Sequence, residues 1–528
     1  MKKILIFLLS FIPLALTSCN KKSSIQKKES DISQLISRTF KEEIFLEDQR
    51  VTSIKSIAPE LHGLFEEHMK TKNIPGIAYG LVIDDSLVLS SATGLAEIED
   101  KVPVSTKTSF RIASMTKSFT AMAILKLRDE GKLSLKDPVV QYIPEIESLE
   151  YLTTDSPIIN IENLLTMTAG LPEDNPWGDR QLEISTKSFL EIISKGLSLS
   201  KVPSYQFEYS NTGYAMLGHI VSKVSGIPYQ LYIKEKILIP LGMNSTYWEY
   251  TDVPKEQLAI GYRWEDEDWK KEPILHDGAY GAMGGLITSI EDFSKYVSFH
   301  LEAWPPRSTI DQGPLKRSSV REMHRPQYNF LNTWNKDWNN EPCARMIGYG
   351  YGLGISMDCK RIQRVSHGGA LPGYGSTYTF YPQYGIGIMA FGNLTYTRTI
   401  PNDKIEKLLF EKLDLKARKL PASNILVKKR EEIIALFADG RVHFDDNIFA
   451  ENFFLDESKK RRKEEIQKVL DKAGAIINIG KMNARNQLRG DFILEGDKGN
   501  VEVFFTLSPE KNPKIQHLDV NYASKDTE

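Results

Sequence analysis

Ser114 and Lys117 stand three residues apart in Arg111-Ile112-Ala113-Ser114-Met115-Thr116-Lys117-Ser118. On a helix that spacing is nearly one turn, so the two side chains share a face. A lysine amine crowded away from water there sheds its proton near neutral pH and activates the serine hydroxyl. A serine at a helix N-terminus also meets the positive end of the backbone dipole, which favours a developing alkoxide. The pattern alone is weak, since Ser-x-x-Lys recurs at Ser18, Ser24, Ser198 and Ser508. Only Ser114 opens a strongly amphipathic run. The spacing predicts a helix over 114–130, with Met115, Phe119, Met122 and Leu125 inward and Gly131 ending it. The plain alternative is an N-capping serine followed by a surface lysine.

Two further groups stand downstream. Tyr209-Ser210-Asn211 is the one Tyr-x-Asn in a chain with 22 tyrosines, and it directly precedes a helical run through Ile220. His367-Gly368-Gly369-Ala370 follows the strand-like run Arg361 to Ser366. Its paired glycines let a substrate backbone approach the strand edge closely.

The elements that must carry these residues read as an α+β fold. Apolar residues Leu61, Leu64, Phe65 and Met69 fall at helical spacing over 59–72. Residues 76–92 alternate as a hairpin turning at Asp84-Asp85. Helical stretches fill the middle. Strand character returns at 348–357, 361–366, 376–381 and 385–391. We expect one domain over 54–415, its single sheet built from both ends of that region. A polar linker at 416–424 then leads to a small α+β accessory domain at 425–528, cystatin- or NTF2-like by analogy of fold. Its predicted elements are helices near 425–438 and 459–473 and four strands at 475–479, 487–495, 501–507 and 514–521.

Ser-x-x-Lys, Tyr-x-Asn and a His-x-Gly strand, in that order, resemble the serine β-lactamase and penicillin-binding superfamily. Within it the chain resembles the class C branch, with its family VIII esterases, D-aminopeptidases and CubicO-type proteins. The segments from Leu164 to Pro172, Gly284 to Ser289 and His367 to Tyr374 look like family segments too. The resemblance implies a β-lactamase/transpeptidase-like domain, an acyl-enzyme on Ser114, and proton transfer shared by Lys117 and Tyr209. It also implies an oxyanion hole from the backbone N–H groups of Ser114 and Ala370, lined by Gly368 and Gly369, with Asn211 positioning Lys117 and the substrate amide. No cofactor and no metal are implied.

His367 departs from the pattern, because β-lactamases usually carry a lysine there. A histidine is mostly neutral at pH 7 and gains charge towards pH 6. That points away from an efficient β-lactamase and towards an ester, an amide or a D-amino-acid-containing peptide, including cell-wall-derived ones. Other readings are a penicillin-binding D-Ala-D-Ala carboxypeptidase or endopeptidase, a β-lactamase, and a catalytically inactive lipid-anchored binding protein. Trp177, Asp179 and Arg180 suit either a substrate cleft or a loop anchored by an Asp–Arg pair.

The remaining composition bounds the setting. Hydrophobic content of 41%, charged content of 26% and a net charge of −2 suit a globular protein and leave no footprint for nucleic acid. Residues 1–19 read as a leader, with Lys2 and Lys3 before an apolar run too short to span a bilayer comfortably. Leu16-Thr17-Ser18-Cys19 resembles a bacterial lipobox, implying lipidation of Cys19, anchorage to a membrane and export. Residues 20–53 then read as a flexible tether. Cys343 and Cys359 remain. If 347–357 is one straight strand, it holds them roughly 35 Å apart at ~3.3 Å per residue, so free thiols are expected.

Overall fold

The computed structural model describes residues 40–525; the expected leader, Cys19 and most of the expected tether lie outside the described residues. Contacts divide the chain into two compact units, Glu43–Lys419 and one that begins again at Leu420. No helix among the described residues is long and apolar enough to cross a membrane.

In the first unit, strands β1 (Gly76–Ile83), β2 (Ser86–Glu97) and β3 (Val102–Pro103) come from the N-terminal end. Strands β4 (Tyr328–Asn332), β5 (Arg345–Tyr349), β6 (Gly354–Asp358), β7 (Gln363–Leu371), β8 (Tyr374–Tyr381) and β9 (Ile386–Gly392) come from the C-terminal end. They form one nine-stranded sheet in the order β3-β2-β1-β9-β8-β7-β6-β5-β4. The two ends join where β1 runs antiparallel to β9, Ile77 opposite Gly392 and Ile83 opposite Ile386.

Alternation along these central strands divides two cores, because successive side chains leave a strand on opposite faces. Ile77, Tyr79, Leu81 and Ile83 join Ile386 and Ile388 in a core with the N-terminal helices α1 (Arg50–Ser56) and α2 (Ala58–Thr71). Phe65 of α2 stacks on Tyr79, ring centroids 3.9 Å apart. Ala78, Val82, Met389 and Phe391 face the larger core of the helical middle. That region includes α3 (Thr116–Asp129), α4 (Asn175–Asp179), α5 (Asn211–Ser225), α6 (Gly281–Gly284) and α7 (Ile290–Glu302). Both faces of β1 are therefore covered, which is why its sequence is apolar throughout.

Two expectations are corrected here. The tether does not reach residue 53: Ile44 bridges to Lys419, and α1 begins at Arg50. Arg50 is buried beneath the β1–β2 turn, its guanidinium bonded to Asp84 at 2.5 Å and Asp48 at 2.7 Å and lying 3.5 Å from the Phe45 ring centroid. Arg418 reaches Asp84 from the other end of the unit at 2.6 Å. Nor are the thiols free, for Cys343 and Cys359 form a disulfide. Residues 347–357 are not one strand but the hairpin of β5 and β6, which folds back and brings the two Cα atoms to 5.2 Å. Closing a loop of this length is worth about 3 kcal/mol in the chain-entropy account.

The second unit packs α8 (Asn424–Ala435) and α9 (Lys459–Ala473) on a sheet of β10 (Ile476–Ile479), β11 (Asn483–Asn486), β12 (Arg489–Gly496), β13 (Asn500–Leu507) and β14 (Ile515–Ala523). The short β11 is a strand beyond the four expected. Leu426, Ile433, Leu470, Phe492, Val503 and Phe505 form the core. The basic run at the start of α9 is a solvated face, with Arg461 bonded to Glu465 at 3.2 Å.

Candidate active site

Ser114 does not open the long helix itself. It lies in the short 3-10 turn Ala113–Met115, and α3 follows from Thr116. Ala113 holds φ at +51°, a left-handed conformation costly for a residue with a Cβ. Lys117, in the first turn of α3, is fully buried. Its Nζ lies 3.0 Å from Ser114 Oγ, 2.6 Å from Asn211 Oδ1 and 2.9 Å from the Met283 carbonyl of α6. Loss of hydration brings the amine's pKa down to about 7, against the upward pull of Asp179 and Asp174.

Asn211 begins α5, and its orientation is set by its neighbours. Its Nδ2 donates to Asn175 Oδ1 at 3.0 Å, which turns the amide oxygen towards Lys117. Asp174 accepts the free backbone N–H groups of Asn211 and Thr212, at 2.6 and 2.9 Å. Ser210 caps the same helix through Gly213 N–H. Tyr209 comes just before, its ring centroid 5.0 Å from Lys117 Nζ. Burial pushes its phenol well above the ordinary value, although a hydrogen bond with Ser114 works the other way. Tyr209 is thus a protonated phenol at working pH.

The strand β7 pairs with β8 as far as Leu371 but with β6 only to Ser366. Residues 367–371 therefore have a second edge that no described strand covers, and it passes against the Ser114 turn. The approach depends on glycine at 369. A Cβ there would stand 2.1 Å from the Ile112 carbonyl oxygen and 2.2 Å from Ser376 Oγ. Gly368 is under no such constraint, its nearest neighbour being 3.9 Å away.

His367 is buried beside Tyr209, ring centroids 6.3 Å apart. Its Nδ1 lies 2.6 Å from the Gly368 carbonyl, which only accepts, so the proton is on Nδ1. Its Nε2 then accepts from the Tyr349 hydroxyl at 3.2 Å. Burial, reinforced by the Lys117 charge, brings the imidazole pKa down to about 4. A ring held so low is mostly neutral near pH 7 and gains less charge towards pH 6 than a free imidazole.

Ser114, Tyr209, His367, Gly368, Gly369 and Ala370 line one cavity of about 360 Å³. Lys117 and Asn211 lie behind its floor. Asp179, one of the residues suited to a substrate cleft, does line this cavity. Other groups escaped the sequence reading: Asn175, Tyr396 and Arg398 line the same cavity, and the Met283 carbonyl holds Lys117. The Asp179–Arg180 pair does not form; Arg180 reaches Glu272 instead, at 3.6 Å. A larger cavity, about 620 Å³, opens beside Tyr229 and Asp277 but is lined by none of Ser114, Lys117, Tyr209 and His367. Among the described residues no group of three or more His, Cys, Asp or Glu side chains is arranged to hold a metal ion.

Known proteins share this arrangement of strands and helices. The chain is 30% identical over 326 residues to "Beta-lactamase-like protein 2" of Dictyostelium discoideum, a match covering 57% of each chain. It therefore spans less than two thirds of that relative's length. The octameric penicillin-binding protein homologue from Pyrococcus abyssi superposes with a TM-score of 0.54 and 23% identity, covering 89% of this chain and 98% of that one. EstCE1, described as a hydrolase with promiscuous acyltransferase activity, superposes with a TM-score of 0.53 and 19% identity, covering 68% of this chain and 97% of that one. At such identities the structures speak for the fold. The family described as Beta-lactamase matches residues 61–409, more than half of the chain and the whole stretch from Ser114 to Ala370. By that extent the chain belongs to the Beta-lactamase family, a family of serine hydrolases.

Proposed function

We propose that the protein is an exported, lipid-anchored serine hydrolase that forms an acyl-enzyme on Ser114 from an ester, an amide or a D-amino-acid-containing peptide. The observation that carries this reading is the three-way environment of Lys117 Nζ. A neutral amine has two N–H donors and one lone pair. The Asn211 and Met283 carbonyl oxygens only accept, so they take both donors. The lone pair is left for the Ser114 hydroxyl, 3.0 Å away.

The reaction follows from that arrangement. Ser114 Oγ attacks the carbonyl while its proton passes to Lys117. Negative charge develops on the former carbonyl oxygen and is met by the N–H groups of Ser114 and Ala370. Tyr209, a protonated phenol, gives a proton to the leaving group. Water then takes the leaving group's position and the acyl bond is cleaved by the reverse proton movements. The His367 imidazole, held mostly neutral, offers a substrate carboxylate no cation of its own; the cation of this cavity is Arg398.

Intact-protein mass spectrometry tests this directly. The protein is incubated separately with a fluorophosphonate, a penicillin, p-nitrophenyl esters, D-amino-acid amides and a D-Ala-D-Ala peptide. We expect a fluorophosphonate adduct on Ser114 together with turnover of esters or amides. Labelling by penicillin alone, with peptide cleavage, would establish a carboxypeptidase. Reaction with nothing would leave a binding protein.

The lipobox supports the anchored location. Changing Cys19 to Ser should move the protein from the membrane fraction to the soluble one and remove the acyl mass. Wild-type protein that is membrane-bound without acylation would refute the lipid anchor.

A further inference from the structure

The acyl-transfer chemistry leaves one buried ionisable group of the cavity unused. Asp179, at the end of α4, is 1% exposed and lines the same cavity as Ser114 and Tyr209. Its Oδ2 accepts from the Tyr396 hydroxyl at 3.1 Å. Its Oδ1 is buried and has no hydrogen-bond partner. Among the described residues no cation comes within ion-pair distance of it. Its sequence neighbour Arg180 is engaged by Glu272 instead.

The surroundings hold Asp179 firmly. Gly178 lies so close to α5 that a Cβ on it would stand 3.0 Å from the Asn211 Cβ. Tyr396, which grips the other carboxylate oxygen, keeps φ at +52°, a conformation costly for a tyrosine. Leaving a buried acceptor unpaired is costly too, and groups kept in that condition call for an explanation. At the wall of a reaction cavity the explanation with physical content is a ligand donor that completes the set.

We propose that Asp179 binds an amino group of the acyl donor, so that the preferred substrates are amino-acid esters, amides or peptides with a free α-amine. This rests on the acyl-enzyme reading of Ser114. Asp179 and Ser114 line one cavity of about 360 Å³, within the range of small-molecule pockets, so a single bound acyl donor can meet both. An ammonium there makes a charge-assisted hydrogen bond to Oδ1, stronger than one between neutral groups. Burial raises the carboxyl pKa to about 7, with Lys117 pulling it back down. An arriving ammonium acts in the same direction as Lys117 and favours the ionised acid.

Asp179→Asn preserves shape and an acceptor for Tyr396 while removing the charge. The readout is kcat/KM for each enantiomer of alanine p-nitroanilide, divided by that for its N-acetyl derivative. Wild-type protein should prefer the free amine for at least one enantiomer. The substitution should lower that ratio tenfold or more, mainly through KM. A wild-type preference for the N-acetyl compounds, or a ratio unmoved by the substitution, would overturn the proposal. A fall shared equally by both members of each pair would also overturn it, because Asp179 would then act through Lys117. Calorimetric binding of alaninamide and N-acetylalaninamide to Ser114→Ala protein, with and without Asp179→Asn, decides the matter apart from catalysis. Weaker binding of alaninamide alone in the double variant upholds the amine site even if no donor is turned over, an outcome that would sink only the hydrolase reading. Equal binding of both compounds to both proteins refutes the amine site.

Discussion

Ser114→Ala protein should take up no fluorophosphonate and should lose turnover of every donor, on the order of 10⁶-fold, the scale for removing a serine nucleophile. Of the hydroxyls lining the cavity, Ser114 Oγ is the one hydrogen-bonded to Lys117, while that of Ser376 donates to the Ile112 carbonyl. The side chains nearest to Ser114 are an amine held by two carbonyl acceptors and a phenol whose burial keeps it protonated. Stability should change by no more than about 1 kcal/mol, because Lys117 keeps both of its carbonyl acceptors. Mass spectrometry of labelled protein and thermal unfolding measure the two effects separately. Labelling that survives in Ser114→Ala and vanishes in Ser198→Ala would transfer the nucleophile to another Ser-x-x-Lys.

Lys117→Met should cost about 10²- to 10⁴-fold in acylation rate, the contribution of a well-positioned base. The residual rate should also lose its acid limb. In the wild type the working form is the neutral amine, which dominates above a pKa of about 7. As pH falls through that value the amine binds a proton and its lone pair is no longer available. Acylation should therefore drop towards tenfold per pH unit below about 7 and level off above it. His367, brought down to about 4, contributes no second step in that range. Asp179 interacts with Lys117 and titrates there with it, so the limb belongs to the pair. Single-turnover acylation between pH 5 and 9 checks both points. A wild-type profile flat from pH 5 to 8 would mean that Lys117 is not the titrating base. The substitution also leaves the Asn211 and Met283 carbonyls without their buried donor. Folding must therefore be measured alongside rate, at a cost of about 1–3 kcal/mol per unpaired group.

Much of the frame was legible because it is written locally. The hairpin over 76–92 turns at Asp84-Asp85 as expected, and the helix over 459–473 has the bounds that its spacing predicts. Ser114, Lys117, Tyr209, Asn211 and His367 announced themselves by short motifs, each a few residues beside one element boundary. Where the reading failed, the deciding contact was distant. A straight strand through 347–357 is a fair reading of β-rich residues, yet the turn at Gly350 to Leu353 folds it into β5 and β6 and closes the disulfide. Arg50 looked like tether because nothing near it in sequence says that Asp84 will hold it, with Arg418 reaching the same carboxylate.

The sequence by itself determined which elements exist and which residue types stand at their ends. Strand alternation, helical spacing and capping act between near neighbours, so a few residues carry that information. Only the tertiary structure decided the protonation states on which the chemistry depends. The Lys117 amine has a lowered pKa because α3, α5 and α6 exclude water around it, and two carbonyls take its N–H groups. The His367 imidazole is pushed towards its neutral form by burial and by the nearby Lys117, against the pull of the Gly368 carbonyl. Asp179 has an unpaired oxygen because Arg180 is turned towards Glu272. Desolvation and hydrogen-bond pairing depend on what surrounds a group on every side, and that enclosure joins distant segments: the two carbonyls at Lys117 lie 94 and 166 residues away in sequence.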